Sequence, residues 1–255
     1  FKQKTAYEIP KRDWSSDVCS SDLAIFVAMG SVAVGTLFFL RQKETEPPRH
    51  PREDGEDHSL LIRKQAIQAL FIPMMLCGAF FSSTGLVIVG YADKFGVRDY
   101  SGFLIAIWSL GSGIAALVSG TITWKASEKT RFLFFLTLLF LLTLPIYLVV
   151  QLLPGNHAAM SIALFCNGIA IAPLLTAGFT VAEKSVSEKR TTEVLAWAIS
   201  ALNLGGALPT ALTGYIIDNY GVTVAFAIPV GCMLISVLSL LPFANYWRGK
   251  VGATA

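Results

Sequence analysis

Charged side chains are scarce in this chain. Asp, Glu, Lys and Arg make up 15% of its 255 residues, and 54% of the residues are apolar, whereas about one-quarter of the residues in ordinary soluble domains are charged. This composition, together with repeated long apolar runs, indicates a membrane protein. The net charge of +3 comes without a basic patch interleaved with aromatic residues, which argues against nucleic-acid binding.

The sequence also lacks the groups that hydrolytic or metal chemistry needs. Its three histidines, His50, His58 and His157, fall in a linker or at the outer edge of an apolar run. The serine of the Gly-Ser-Gly triplet at residues 111–113 therefore has no base within reach. There is no metal-ligand cluster, CxxC spacing, Walker-type phosphate loop or pair of intramembrane carboxylates. We predict that the protein is not an enzyme and uses no metal or cofactor.

Residues 1–23 differ from the rest of the chain. The blocks Lys2–Ile9 and Asp13–Leu23 resemble the conceptual translation of a common sequencing-adapter oligonucleotide, so we exclude this artefactual segment from the fold. The alternative is a genuine basic N-terminal tail. We expect the protein's own sequence to begin at Ala24, part-way through its reading frame.

Seven apolar runs follow, and a charged, proline-rich linker (residues 41–64) separates the first from the second. At about 1.5 Å per residue, the six later runs can each cross a hydrocarbon core of about 30 Å. We expect the shorter first run to be truncated. The predicted spans are Ala24–Leu40, Gln65–Ala92, Tyr100–Thr123, Phe132–Leu153, His157–Ala182, Glu193–Ile217 and Val222–Tyr246.

The distribution of Lys and Arg predicts the orientation of these spans. Fourteen of these residues lie in the linker, in the loops after the third and fifth spans, and in the tail at residues 248–255. On the other side there are only Lys94 and Arg98. By the positive-inside rule, the linker, both loops and the C-terminus are cytoplasmic.

Two spans carry a row of small residues along one helix face, at alternating steps of four and three. Such rows are typical of membrane helices that pack closely against protein. We therefore predict helix packing at Gly102, Gly113, Gly120, Ala207 and Gly214. The full rows are Gly102, Ala106, Ser109, Gly113, Ala116 and Gly120 in the third span, and Ala196, Ser200, Asn203, Ala207, Thr210 and Gly214 in the sixth.

Few polar groups fall at membrane depth, and the main ones are Asn167, Ser200 and Asn203. A buried amide in hydrocarbon is costly unless it is paired or hydrated. Two interpretations remain open: a hydrogen bond between Asn203 and Asn167, or a polar lining for a substrate path. Trp108 and Trp197 lie inside their spans, where they contact lipid or stack on a substrate.

The arrangement resembles the C-terminal half of a major facilitator superfamily transporter. Residues 192–221 (TEVLAWAISALNLGGALPTALTGYIIDNYG) resemble the eleventh helix of bacterial, especially actinobacterial, efflux permeases for drugs or sugars. Residues 90–120 (GYADKFGVRDYSGFLIAIWSLGSGIAALVSG) resemble their seventh-to-eighth helix region. The resemblance covers residues 24 to about 247.

This resemblance implies an all-α protein of the bacterial inner membrane. Residues 24–40 would be the last helix of the N-terminal bundle, residues 41–64 the central cytoplasmic linker, and residues 65–247 the C-terminal six-helix bundle. The cavity would lie between this bundle and the missing N-terminal half of the same transporter. Position in the family fold makes five residues candidates for the cavity wall: Phe81, Trp108, Asn167, Ser200 and Asn203.

The predicted function is transport of a small molecule across the lipid bilayer by alternating access. The resemblance implies proton-coupled efflux of a drug-like or sugar-like compound. Because no ionisable residue falls at mid-membrane in the second to seventh spans, we expect the coupling group in the missing half. The alternatives are a membrane scaffold or sensor that does not transport, and an intramembrane enzyme, which the histidine positions disfavour.

Overall fold

The computed structural model describes residues 26–27, 29–38, 41, 65–98 and 100–248. The predictions for residues 1–23, for all of the linker except residue 41, and for residues 249–255 lie outside the described residues. Within the first predicted span, Met29–Phe38 forms an apolar helix, α1, whose side chains are all exposed. α1 belongs to a separate unit from the helices after residue 57.

Six helical segments after residue 57 are long and apolar enough to cross a membrane. This confirms the predicted all-α membrane bundle, and the described residues contain no strand. The helices are α2 (Gln65–Lys94), α3 (Tyr100–Thr121), α4 (Glu128–Leu152), α5 (His157–Ile169), α6 (Ile171–Glu183), α7 (Thr191–Tyr220), α8 (Val222–Ala225), α9 (Ala227–Leu238) and α10 (Ala244–Arg248), with 3₁₀ turns at Glu188–Arg190 and Leu241–Phe243.

The start of α4 shows why the predicted boundaries shift by a few residues. The apolar run begins at Phe132, but the helix begins one turn earlier, at Glu128. Ser127 caps this polar first turn, because its Oγ accepts a hydrogen bond from the backbone N–H of Thr130 at 3.3 Å. Hydrophobicity marks the part of a helix that lies in the bilayer, whereas the cap sets where the helix starts.

Two spans are interrupted at a proline, one near its middle and the other after its first turn. A proline has no N–H to donate to the carbonyl four residues earlier. Ile169, four residues before Pro173, is the last residue of α5, and Ala225, four residues before Pro229, is the last residue of α8. Each span resumes after a break of one residue, as α6 and α9 respectively. Three other prolines lie within continuous helices: Pro73, Pro145 and Pro209.

The helix crossings in the bundle depend on glycines that let backbones touch. α2 packs along α7 and α9, α3 packs on α5, and α4 packs on α6 and α9. A Cβ added to Gly78 of α2 would overlap the carbonyl oxygen of Leu202, and one added to Gly205 of α7 would overlap that of Met75. Neither helix could approach this closely with a larger residue at these positions.

The predicted rows of small residues lie elsewhere. No atom lies within 4 Å of a Cβ built on Gly102, Gly113 or Gly120, Ala207 is exposed, and Gly214 meets only a Leu86 methyl at 4.0 Å. Close packing inside the described bundle is therefore made by other glycines. Packing of the rows against a helix outside the bundle stays a prediction. The glycines in tight contact are Gly78, Gly111, Gly168, Gly178, Gly205 and Gly206.

Candidate substrate-facing site

Three aromatic rings of α2 and α3 form a cluster at the edge of the core. The rings of Phe80 and Phe81 are 5.5 Å apart, and the Trp108 ring lies 6.2 Å from the first and 6.3 Å from the second. Phe80 is fully buried, whereas Phe81 and Trp108 are half-buried. Two of the five candidate residues thus share one aromatic surface that is part core and part exterior.

Asn167 of α5 joins this cluster to α4. The indole Nε1 of Trp108 donates to Oδ1 of Asn167 at 2.9 Å, and Nδ2 of Asn167 donates to Oγ1 of Thr143 at 3.2 Å. The Thr143 hydroxyl in turn donates to the carbonyl of Leu139 at 2.7 Å. Asn167 is completely buried, and these bonds offset the cost of burying its amide.

These contacts bear on two interpretations that the sequence left open. The side chain of Asn167 bonds to Trp108 and Thr143, so the hypothesis of a bond to Asn203 is wrong. Trp108 is anchored to the bundle through its indole nitrogen and is not simply a lipid-facing filler. Thr143 was missed because it lies in a helix that otherwise reads as apolar on every side. The available signal was the pair of threonines, Thr137 and Thr143, within this apolar helix.

Asn203 and Ser200 lie apart from this group, on the exposed side of α7. Asn203 is the thirteenth of the 30 residues of α7, so it lies near the middle of the span. Its Nδ2 donates to the carbonyl of Ile199 at 3.1 Å, one turn back along the same helix. Within the described part of the chain its amide has no other hydrogen-bond partner. A polar group is thus presented outward at membrane depth.

The exposed faces of α3 and α7 carry both predicted rows of small residues. Only 11% of the most apolar stretch of α3 is buried, compared with 56% for α2 and 28% for α7. Faces that meet lipid are usually covered by large apolar side chains, whereas small residues permit the close approach of another helix. Large residues do cover the adjoining exposed surface of α7, where Leu204 is 61% and Leu208 82% exposed.

Charged residues stay at the ends of the spans. Among the described residues, no Asp, Glu, Lys, Arg or His lies in the middle of a span, and no group of three metal-ligating side chains occurs. Ion pairs join Lys184 to Glu128, and Arg190 Nε to Glu193 at 3.0 Å. The candidate site therefore offers aromatic surface, hydroxyls and amides instead of charge.

At the predicted cytoplasmic end, the last helix closes over α4. Lys129 is only 5% exposed. Its Nζ donates to the carbonyl of Tyr246 at 2.8 Å and lies 3.7 Å from the centre of that ring. Trp247 stacks on Phe132, with ring centres 5.3 Å apart and an interplanar angle of 13°. α10 thus shields the ammonium group from water and replaces that water with a carbonyl oxygen and the face of a ring.

Six apolar helical spans, two of them broken by proline, define a polytopic helical membrane protein. The model of the Major Facilitator Superfamily matches residues 70–250, so the chain belongs to that superfamily, whose members are transporters and not enzymes. This confirms the family and the expectation that the protein is not an enzyme.

Comparison with curated proteins gave no match. Among solved structures, the chain is similar to the crystal structure of a bacterial homologue of the human lysosomal transporter Spinster, in an inward-facing and unoccupied conformation. Sequence identity is 16% and the TM-score is 0.41. The match covers 88% of this chain and 57% of the solved chain, so the chain spans a little over half the length of that transporter.

Proposed function

We propose that this chain forms the C-terminal bundle of a secondary transporter that moves a small, mainly uncharged molecule across a bacterial inner membrane by alternating access. Its C-terminus lies in the cytoplasm, and the exposed faces of α3 and α7 meet the N-terminal bundle of the same transporter. The substrate path runs between the two bundles, as the family fold implies.

The observation that carries this proposal is the exposed amide of Asn203 at mid-membrane. Its single hydrogen bond, to Ile199 of its own helix, leaves the amide oxygen without a partner in the described bundle. In contact with lipid tails, such an oxygen costs about 1–3 kcal/mol. A water-filled path, or a polar partner on a second bundle, removes that cost. The small residues beside Asn203 in its row leave room for either.

The site chemistry supports a substrate that is apolar or neutral and polar. Phe81 and Trp108 offer partly exposed rings for stacking, and Ser200 and Asn203 offer hydrogen bonds. A phosphorylated or carboxylated substrate would need Arg or Lys at this depth, and the described spans have none there. We therefore propose export of a drug-like or sugar-like compound. Proton coupling would use a titratable group of the N-terminal bundle.

Cysteine accessibility tests whether Asn203 lines a water path. The complete transporter is stripped of native cysteines, of which Cys77 is buried and Cys166 and Cys232 are half-buried. Asn203→Cys and Leu204→Cys are then compared, because the two positions have the same depth and both are exposed on the bundle. We expect a charged methanethiosulfonate reagent to modify Asn203→Cys but not Leu204→Cys. If Asn203→Cys is unreactive from both sides, the water path is rejected, and a scaffold covered there by protein is favoured.

Transport itself is measured in inverted membrane vesicles with Hoechst 33342 as the drug-like probe and radiolabelled lactose as the sugar. We expect one of them to accumulate when the vesicle interior is acid, and a protonophore to abolish the accumulation. Accumulation that survives the protonophore would reject proton coupling. If vesicles that contain the complete transporter accumulate neither probe to a higher level than vesicles without it, export of these two compound classes is rejected.

A further inference from the structure

We propose that Thr143 is a positioning residue that fixes the indole of Trp108 through Asn167. The role of Trp108 at the substrate-facing edge rests on the proposed function, whereas the relay itself rests only on packing and hydrogen bonds. Thr143 is buried on α4, a helix that contributes none of the five candidate residues. α4 therefore acts on the site through Asn167 without lining it.

The relay forms where the backbones of α3 and α5 touch. A Cβ added to Gly111 would overlap the carbonyl oxygen of Phe165, and one added to Gly168 would overlap the carbonyl oxygen of Trp108. Asn167 directly precedes Gly168, so its side chain leaves α5 at the contact point. This is why its short amide reaches the indole of Trp108 at 2.9 Å.

The hydrogen-bond chain can run in only one direction. The indole Nε1 is a donor only, so the Asn167 atom facing it has to be the oxygen. The hydrogen bond between Asn167 and Thr143 requires the same orientation of the amide. The Thr143 hydroxyl uses its proton on the Leu139 carbonyl at 2.7 Å, so toward Asn167 it can only accept, and it receives the Nδ2 donor. Thr143 thereby selects the amide orientation that presents an acceptor to Trp108.

Loss of the Thr143 hydroxyl removes that selection. The amide nitrogen of Asn167 would then be buried without an acceptor, so the amide would gain by rotating away from its present orientation. Rotation would withdraw the oxygen from Trp108 Nε1 and release the indole from its angle against Phe80 and Phe81. The change thus passes from α4 to the half-buried aromatic surface at the site.

The relay is tested by NMR of this chain in lipid nanodiscs with ¹⁵N-labelled tryptophan. The Trp108 indole resonance is assigned by Trp108→Phe. We expect Thr143→Val to shift this resonance upfield and to speed its exchange with solvent, and Thr143→Ser to restore it. The control is Thr137→Val on the same helix, because the exposed Thr137 hydroxyl donates only to the Leu133 carbonyl one turn back, at 2.9 Å.

The remaining tryptophans serve as an internal check on folding. If Thr143→Val moves all indole resonances together, Thr143→Ala takes its place as the hydroxyl deletion, and the comparison with Thr143→Ser is repeated. The relay is overturned if the Trp108 resonance does not move in the variant, Thr143→Val or Thr143→Ala, that leaves the other indole resonances unchanged. It is also overturned if Thr137→Val shifts the Trp108 resonance equally.

Transport by the complete transporter separates this inference from the proposed function. For the probe that is carried, Hoechst 33342 or lactose, we expect Thr143→Val to raise KM roughly two- to tenfold, the equivalent of one misaligned aromatic contact. The maximal rate should change little, and Thr143→Ser should restore KM. If Thr143→Val shifts the Trp108 indole resonance but neither the wild type nor any variant transports a probe, the proposed function is rejected and the relay is supported. Normal KM together with an unmoved indole rejects the relay alone.

Discussion

Two sets of glycines in this bundle differ in whether another helix lies against them. Gly78 and Gly205 sit where α2 and α7 touch, and neither position has room for a methyl group. Gly102, Gly113 and Gly120 form a regular row on α3, and nothing lies within 4 Å of a methyl group there. A glycine row therefore marks a surface suited to close approach, but the row alone does not say which partner approaches.

The largest expected effect separates two glycines of α2. Gly78→Ala places a methyl group against the Leu202 carbonyl, so α2 and α7 have to move apart. We expect a loss of about 3 kcal/mol in unfolding free energy, measured by reversible unfolding of this chain in mixed micelles. Gly85→Ala is the control, because nothing lies within 4 Å of its added Cβ. Equal losses for both variants would remove the distinction between the two sets.

The two asparagines, Asn167 and Asn203, show the same difference between a packed and an exposed position. Asn167→Ala leaves the half-buried Trp108 indole N–H without its acceptor and removes the donor to the buried Thr143 hydroxyl, so we expect a loss of about 2 kcal/mol. Asn203→Ala removes only a bond within its own helix, and the stability of this chain should hardly change. The same unfolding assay applies. A larger loss for Asn203→Ala would mean that α7 has a different rotation about its axis.

A third pair compares tyrosines. Tyr246 covers the ammonium group of Lys129, so Tyr246→Ala should cost about 1 kcal/mol through the lost cation–π contact. Tyr220, which is 65% exposed at the end of α7, provides the control Tyr220→Ala. The two midpoints are compared by thermal unfolding in detergent. Indistinguishable midpoints would show that Tyr246 does not stabilise Lys129.

The smallest effect is expected at the outer row. In this chain, Gly113→Ala should change the unfolding free energy by less than about 0.5 kcal/mol, because its added Cβ meets no atom of another helix within 4 Å. In the proposed two-bundle transporter, Gly113→Leu should reduce disulfide cross-linking between cysteines placed on the two bundles. If cross-linking is unchanged, α3 does not face the second bundle and its row meets lipid.

The number and type of the spans could be predicted from sequence because an apolar run of bilayer length has few other solutions. The rotation of each helix about its axis could not. α7 carries two sets of small residues, and its packing uses Gly205 and Gly206 instead of the longer row through Asn203. The choice depends on which set finds a complementary groove on α2, and one helix's sequence does not contain that information.

The candidate site was predictable to a similar degree. Position in the family fold made five residues candidates for one cavity wall. The structure groups Phe81, Trp108 and Asn167 and places Ser200 and Asn203 apart on α7. The connection of the first group to Thr143 could not be foreseen, because it depends on the close approach of α3 and α5 at Gly111 and Gly168. A difference of one methyl group at that crossing decides whether the hydrogen bonds can form.

The contact between α10 and α4 also imposes an order on the making of the protein. Lys129 and its cover, Tyr246, are separated by 117 positions in the chain, so α4 is synthesised and inserted well before Tyr246 leaves the ribosome. During that interval Lys129 and Phe132 lack the rings that later cover them. Arrival of α10 ends this exposed stage. The end of the bundle that carries Lys129 therefore differs between the nascent and the finished protein.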